Sequence, residues 1–181
     1  MSDPTLVPLD RNPGSPQVPT GDPLVDGVGP ATYTNRHDVP DVTLHGAAKI
    51  VPLRAAPGFW LEPKDPNPIG LKVKACDGVV AGVIVEAWVD RSEPQVRYYE
   101  VELATADRRR VMLPSPYVQW PNFGLTRSDH VLVKSINSAQ FANVPGIQQP
   151  DQITLREEDR IMAYYAGGHL YATAARAEPV I

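Results

Sequence analysis

Leu71-Lys72-Val73-Lys74-Ala75-Cys76-Asp77-Gly78-Val79-Val80-Ala81-Gly82-Val83-Ile84-Val85-Glu86-Ala87-Trp88-Val89 decides how this chain is read. From Lys72 to Ala75 polar and apolar side chains alternate, the period of a half-buried strand. Asp77-Gly78 is a turn dipeptide whose glycine tolerates positive φ. Val79 to Val89 then runs as a long, mostly β-branched apolar stretch, with Gly82 as a bulge or bend. Together these predict a β-hairpin. Beyond it, strands are expected at Arg97–Leu103, where Tyr99, Val101 and Leu103 alternate with Glu100 and Glu102, and at Arg110–Leu113, Tyr117–Trp120 and His130–Lys134. Short strands separated by turn residues define a mainly β protein, a small antiparallel barrel of about five to six strands. Arg108-Arg109-Arg110, between two of them, reads as a solvated turn, with anionic lipid headgroups or an acidic partner as the alternative contact.

One helix closes the barrel. Thr154-Leu155-Arg156-Glu157 is a capping box, and Glu158 and Asp159 follow in the first turn, where the helix dipole favours acids. Gly167-Gly168 reads as a C-terminal stop, giving a helix over about 155–166 with Leu155, Met162 and Tyr165 on its buried stripe.

Toward the N-terminus the grammar is different. Of 20 prolines, 13 fall in residues 1–70, where they remove backbone donors and push the preceding residues toward extended conformations. Residues 1–70 are therefore expected to form an extended Pro-rich arm, and residues 71–181 the barrel with its helix. The arm holds Leu24, Val28, Ile50, Val51, Phe59 and Trp60 among other apolar residues, more than a solvated linker carries. It is expected to pack on the barrel, on partner subunits, or on both.

Composition narrows the function. The 181 residues carry 17 basic and 21 acidic side chains, a formal net charge of −4, and no segment is strongly basic, so nucleic acid is a poor partner. The single cysteine, Cys76, has no second cysteine for a disulfide or a shared metal. The apolar run Val79–Val85 ends at Glu86, far short of the ~20 residues that span a bilayer. No P-loop, GxGxxG, HExxH, CxxC or GxSxG is present, and His37, His45, His130 and His169 lack metal-ligand spacing. An enzyme using the acidic residues as general acid and base would have no nameable nucleophile or oxyanion donors. Acids do concentrate at Glu86, Asp90, Glu93, Glu100 and Glu102, interleaved with Arg91 and Arg97. This pattern fits either a solvated sheet face or a path for protons, because carboxylates beside a low-dielectric neighbour acquire spread proton affinities.

Several stretches carry a family likeness: Pro19-Thr20-Gly21-Asp22-Pro23-Leu24, Asp26-Gly27-Val28-Gly29-Pro30-Ala31, Lys49-Ile50-Val51-Pro52, Asn67-Pro68-Ile69-Gly70-Leu71, Trp88-Val89-Asp90, Glu100-Val101-Glu102-Leu103, Phe141-Ala142-Asn143-Val144-Pro145 and Ile153 to Ala172. In order and spacing they resemble the cytoplasmic part of the H subunit of the purple-bacterial-type photosynthetic reaction centre, whose globular portion is the PRC-barrel. The resemblance implies an accessory, non-enzymatic subunit. It would cap the cytoplasmic face of the L and M subunits, stabilise the core and conduct protons to the secondary quinone. Bacteriochlorophyll, bacteriopheophytin, quinone and non-haem iron would be held by the partners, with none bound directly. Antenna subunits and anionic lipid are further expected contacts.

The resemblance also assigns residues. The family's glutamate near the quinone path matches Glu93, and its neighbouring aspartate and arginine match Asp90 and Arg97. Where the family shows an Asp-Gly-His-Gly-His cluster for proton uptake, this chain reads Thr43-Leu44-His45-Gly46-Ala47, keeping only the middle histidine, His45; Asp38, Asp41 and His37 are the nearby candidates to substitute. Family members begin with a transmembrane helix, and this sequence starts with Met1 shortly before the first motif. Either the sequence is a shortened one or the subunit is split between two chains; the split is the preferred expectation, with the helix on a separate polypeptide and this chain held peripherally at the membrane by protein contacts. A stand-alone PRC-barrel interaction module is the alternative reading.

Overall fold

The computed structural model describes residues 6–121 and 128–177. Its centre is one long strand. Asp77-Gly78 makes the expected turn: Gly78 takes φ 79°, Asp77 Oδ1 accepts from the Val79 amide, and strands β4 (Lys72–Lys74) and β5 (Val80–Asp90) pair antiparallel on either side. The register shifts between Val73 and Lys74, opposite Gly82. A Cβ on Gly82 would lie 2.3 Å from the Glu102 carbonyl oxygen, so glycine lets β5 approach its neighbour closely.

Along one edge β5 pairs with β6 (Gln95–Leu103), which pairs in turn with β7 (Arg110–Pro114), all antiparallel. The other edge is shared. Val80–Val83 pair with β4, and Trp88–Asp90 pair with β3 (Ile50–Pro52), a strand from the Pro-rich arm. Beyond β4 lie β9 (His130–Val133) and then β8 (Val118–Gln119). The mainly β half-barrel with one C-terminal helix is thus the observed architecture. The sheet has seven strands rather than the five or six expected, because the arm adds β3. It is antiparallel except for β4 and β9, which run parallel with Lys72 opposite His130. A separate two-stranded ribbon joins β1 (Leu6–Pro8) to β2 (Gln17–Pro19).

The arm is irregular but ordered by local chemistry. Asp22 caps α1 (Pro23–Asp26), Pro23 stands in its first turn, and Gly27 ends it at φ 71°. These are the positions where an N-cap acid, an early proline and a left-handed glycine each satisfy helix-end geometry. Leu24, Val28, Ile50 and Val51 are buried, whereas Leu44 is 97% and Trp60 73% exposed.

Helix α2 (Leu155–Tyr171) begins with the expected capping box, complete in both directions. It does not stop at Gly167-Gly168. The pair lies inside the helix because two other elements press on it. A Cβ on Gly167 would lie 2.6 Å from Ala31 Cβ, and one on Gly168 would lie 2.4 Å from both Ile136 Cγ2 and the Ser135 carbonyl oxygen. Glycine here serves close packing rather than termination. The buried stripe is Ile161, Tyr164, Tyr165, Gly168 and Tyr171; of the three residues expected on it, Tyr165 is fully buried while Leu155 and Met162 are only half-buried. Tyr165 stacks on Tyr117 at a centroid distance of 5.5 Å. Below the helix, Trp88, Ile84, Val101, Leu113 and Phe141 fill the core.

Arg108-Arg109-Arg110 is more than a solvated turn. Arg108, at φ 49°, bonds Glu102. The guanidinium of Arg109 donates to the Ala142 and Val144 carbonyls, the latter at 2.7 Å, tying the β6–β7 hairpin to the segment that leads into α2.

Gly168→Ala is expected to cost about 1–3 kcal/mol, the usual penalty for overpacking a tight contact. The measurement is the denaturant midpoint at unchanged m-value; an unshifted midpoint would mean that Ile136 yields freely.

Candidate functional site

Asp90 closes β5 and builds the turn that follows. Its Oδ1 accepts from the amides of Ser92 at 2.8 Å and Glu93 at 3.1 Å, which fixes the backbone that carries Glu93. Its Oδ2 is buried and accepts no hydrogen bond. Two cations face that oxygen just beyond hydrogen-bond reach: Lys49 Nζ at 3.7 Å and Arg97 Nη1 at 3.9 Å. Lys49 is placed by the arm. Its amide bonds the Asp41 carbonyl and its own carbonyl accepts from Arg91, while the Arg91 side chain bonds the Ala48 carbonyl. The Lys49 ammonium also lies 3.5 Å from Asp41 Oδ2. Asp90, then Asp41 and Glu93, hold the Lys49 ammonium above the ordinary lysine pKa, against the opposing effect of desolvation.

Of the candidate residues, four matched to the family and the rest offered as nearby substitutes, the fold gathers Asp41, Asp90, Glu93 and Arg97 around Lys49. Glu93 is exposed, and its carboxylate accepts from Gln95 Nε2 at 3.3 Å. Asp38 and His45 lie elsewhere. Asp38 serves the start of α2: Thr154 Oγ1 donates to it at 2.8 Å, Gln148 at 3.0 Å, and Arg156 pairs with it at 3.3 Å. These bonds, the Thr154 hydroxyl first, hold its carboxyl below the usual aspartate range. His45 stands exposed on a turn closed by the Thr43 amide and the Ala47 carbonyl.

Two members of the neighbourhood were not picked out from the sequence. Lys49 was visible only as the first residue of the family-like stretch Lys49-Ile50-Val51-Pro52, with nothing to announce the acid 41 positions later that it would meet. Glu158 looked like a dipole-complementing acid; instead its carboxylate is largely buried and accepts from Tyr98 Oη at 3.0 Å. Burial, aided by Asp41, pushes the Glu158 carboxyl up despite the Tyr98 hydroxyl, Arg97 and Arg36.

A second group of charges lies on the face of the sheet. Glu86 and Glu100 stand directly opposite across β5 and β6, a like-charge pairing that is unfavourable by itself. Arg54 resolves it, reaching Glu86 at 3.3 Å and Glu100 at 3.6 Å and donating to the Pro150 carbonyl. Arg110 pairs with Glu100 and Glu102, and Trp88 Nε1 donates to Glu100 from the core side. Glu100, Arg110, Met112, Ile147 and Gln149 line a cleft of about 260 Å³. The acids of residues 86–102 thus form two groups, one neutralised by arginines on the sheet and one at its end around Asp90. Among the described residues no three His, Cys, Asp or Glu side chains come together as metal ligands.

With this geometry in place, two family models match the chain. The PRC-barrel domain matches residues 64–140, the region of β4 to β9, which makes the sheet a PRC-barrel. The photosynthetic reaction centre H-chain N-terminal region matches residues 2–55, the arm that ends in β3 and the Leu53–Ala55 turn. Together the two matches support an H-subunit-like protein, and the matched H-chain family implies association with a reaction-centre complex. No helix among the described residues is long and apolar enough to cross a membrane.

Two outcomes are expected. Because the fold raises the Glu158 carboxyl, it favours the neutral form, so this group's contribution to stability is complete below the unfolded carboxyl pKa and is lost as pH rises through the folded value. Glu158→Gln should therefore match the parent in thermal stability near pH 4 and exceed it near pH 8; a loss at pH 8 would mean that the Arg97 and Arg36 attractions prevail. Arg54→Ala should destabilise the chain more in the parent than in a Glu86→Gln background, where the opposed carboxylates are already relieved. Equal losses in a double-mutant cycle would remove Arg54 as the clamp.

Proposed function

We propose that this chain caps the cytoplasmic face of a photosynthetic reaction centre, holding its two pigment-bearing membrane subunits together and conducting protons to the secondary quinone. The observation that carries the proton role is the Asp90 carboxylate. It is buried, one oxygen is unpartnered, two cations flank it, and its other oxygen organises the turn bearing exposed Glu93.

The chemistry asks for such a device. Reducing a buried quinone to quinol consumes two protons, and uncompensated charge in a low-dielectric interior costs several kcal/mol. Protons must therefore arrive as the electrons do. A surface carboxylate such as Glu93 exchanges protons freely with water. Further in, the buried Asp90 carboxylate, flanked by Lys49 and Arg97, offers a second acceptor with an oxygen that no donor occupies. Graded burial from Glu93 to Asp90 gives a proton successive acceptors rather than one isolated barrier. The pigments, the quinone and the iron belong to the partner subunits in this reading, and the chain acts through its shape and its titratable side chains.

The capping role draws on the arm. Its exposed apolar side chains, Leu44, Trp60, Val25, Val39 and Val42, lie along a polar, proline-rich chain, and an obligate contact of more than ~2,000 Å² would bury them.

On a sucrose gradient of mildly solubilised photosynthetic membranes the chain is expected to migrate one-to-one with the bacteriochlorophyll-containing core; remaining at the top as a free protein would end the capping role. In the assembled complex, Glu93→Gln is expected to slow the second electron transfer to the quinone while leaving assembly intact, and unchanged flash kinetics would take Glu93 off the path.

A further inference from the structure

The expected proton-uptake cluster is reduced here to His45, and Asp38 is already engaged by Thr154, Gln148 and Arg156. Asp41 is different. Its side chain is 46% exposed, yet its Oδ2 shares the Lys49 ammonium with Asp90, which is 1% exposed. Among the described residues, Lys49 is the cation that pairs with both the water-open Asp41 and the buried Asp90, and its backbone is pinned on both sides, to Asp41 and to Arg91.

We infer that Asp41 is the outer proton-exchanging carboxylate of this chain and that Lys49 is the positioning residue that holds it against Asp90. This rests on the proton-conducting role proposed above and names the residues by which protons enter from water. A proton taken from water neutralises Asp41. Its passage to Asp90 returns Asp41 to the anion and leaves Asp90 neutral, while Lys49 keeps its own protons throughout. The ammonium supplies charge and geometry: it draws two carboxylates together that would otherwise repel. The other charges facing the pair are Glu93 on the turn, Arg97 on β6 and Glu158 on α2, the last with Arg36 of the arm acting on it. Arg97 complements Lys49 at Asp90 but makes no ion pair with Asp41 among the described residues, so it does not bridge the two acids.

His45 lacks these connections. It stands on the outer tip of its turn, and its side chain makes no hydrogen bond or ion pair with another described residue.

The test is flash-induced proton uptake by the assembled complex, read with a pH-indicator dye across a range of pH, with assembly of each variant checked on a gradient. Asp41→Asn and Lys49→Met are expected to slow uptake by about tenfold, the effect of one pKa unit in driving force. Lys49→Arg should restore most of the rate and the parent pH profile, because it returns the charge. His45→Ala should leave both unchanged. If Asp41→Asn leaves uptake unaltered while Glu93→Gln slows it, the inference falls and the proton-conducting role stands; if neither slows it, both fall. Slowing by His45→Ala alone would assign uptake to the histidine instead. A Lys49→Arg variant as slow as Lys49→Met would deny Lys49 a role through its charge.

Discussion

An eleven-residue strand has two edges of backbone donors and acceptors to satisfy, and in this protein the solution for β5 determines nearly everything else. β6 runs along one edge. On the other, β4 is only three residues long and covers just the beginning of β5. Buried backbone groups left without partners are costly, so the far half needs a second strand, and the Pro-rich arm provides Ile50–Pro52. Proline is tolerable there because β3 lies at the sheet margin, where one side of its backbone has no ladder to join. That pairing brings the residue preceding β3, Lys49, to Asp90 at the end of β5. The charged cluster is thus a by-product of completing a hydrogen-bonded edge.

The same logic separates the two sets of acids. On the sheet face, alternation places Glu86, Glu100 and Glu102 within reach of arginines from three different segments, and each carboxylate is neutralised close to solvent. At the strand's end alternation ceases to apply. Asp90 turns inward, spends one oxygen on the backbone of the turn and leaves the other between two cations slightly too distant to bond it. A structural ion pair would close that gap. Here the gap stays open, and one buried oxygen is left with electrostatic neighbours but no hydrogen-bond donor.

What could be read from the sequence was whatever depended on near neighbours in the chain. The Asp77-Gly78 turn, the alternation of Tyr99, Val101 and Leu103 and the Thr154–Glu157 capping box are local patterns, and each sits where it was expected. Gly167-Gly168 misled because a glycine pair at the end of a helical pattern and a glycine pair under a crossing segment look alike until Ala31 and Ser135 arrive from elsewhere. The parallel pairing of β4 with β9 and the edge contact of β3 were equally hidden, since both join residues far apart. For the site, the likeness to a known family singled out Glu93, Asp90 and Arg97, whereas the bridging place of Lys49 and the burial of Glu158 depend on tertiary packing that no spacing records.

The two family matches divide the chain between residues 55 and 64, yet the hydrogen bonds do not respect that division. β3 belongs to the first match and its ladder to the sheet of the second. The boundary that inheritance draws and the boundary that cooperativity draws are therefore different lines. A barrel of this kind transplanted without its arm would carry an open seam beside Trp88, Val89 and Asp90, and any lineage that dispenses with the arm has to mend that seam with a strand from another source.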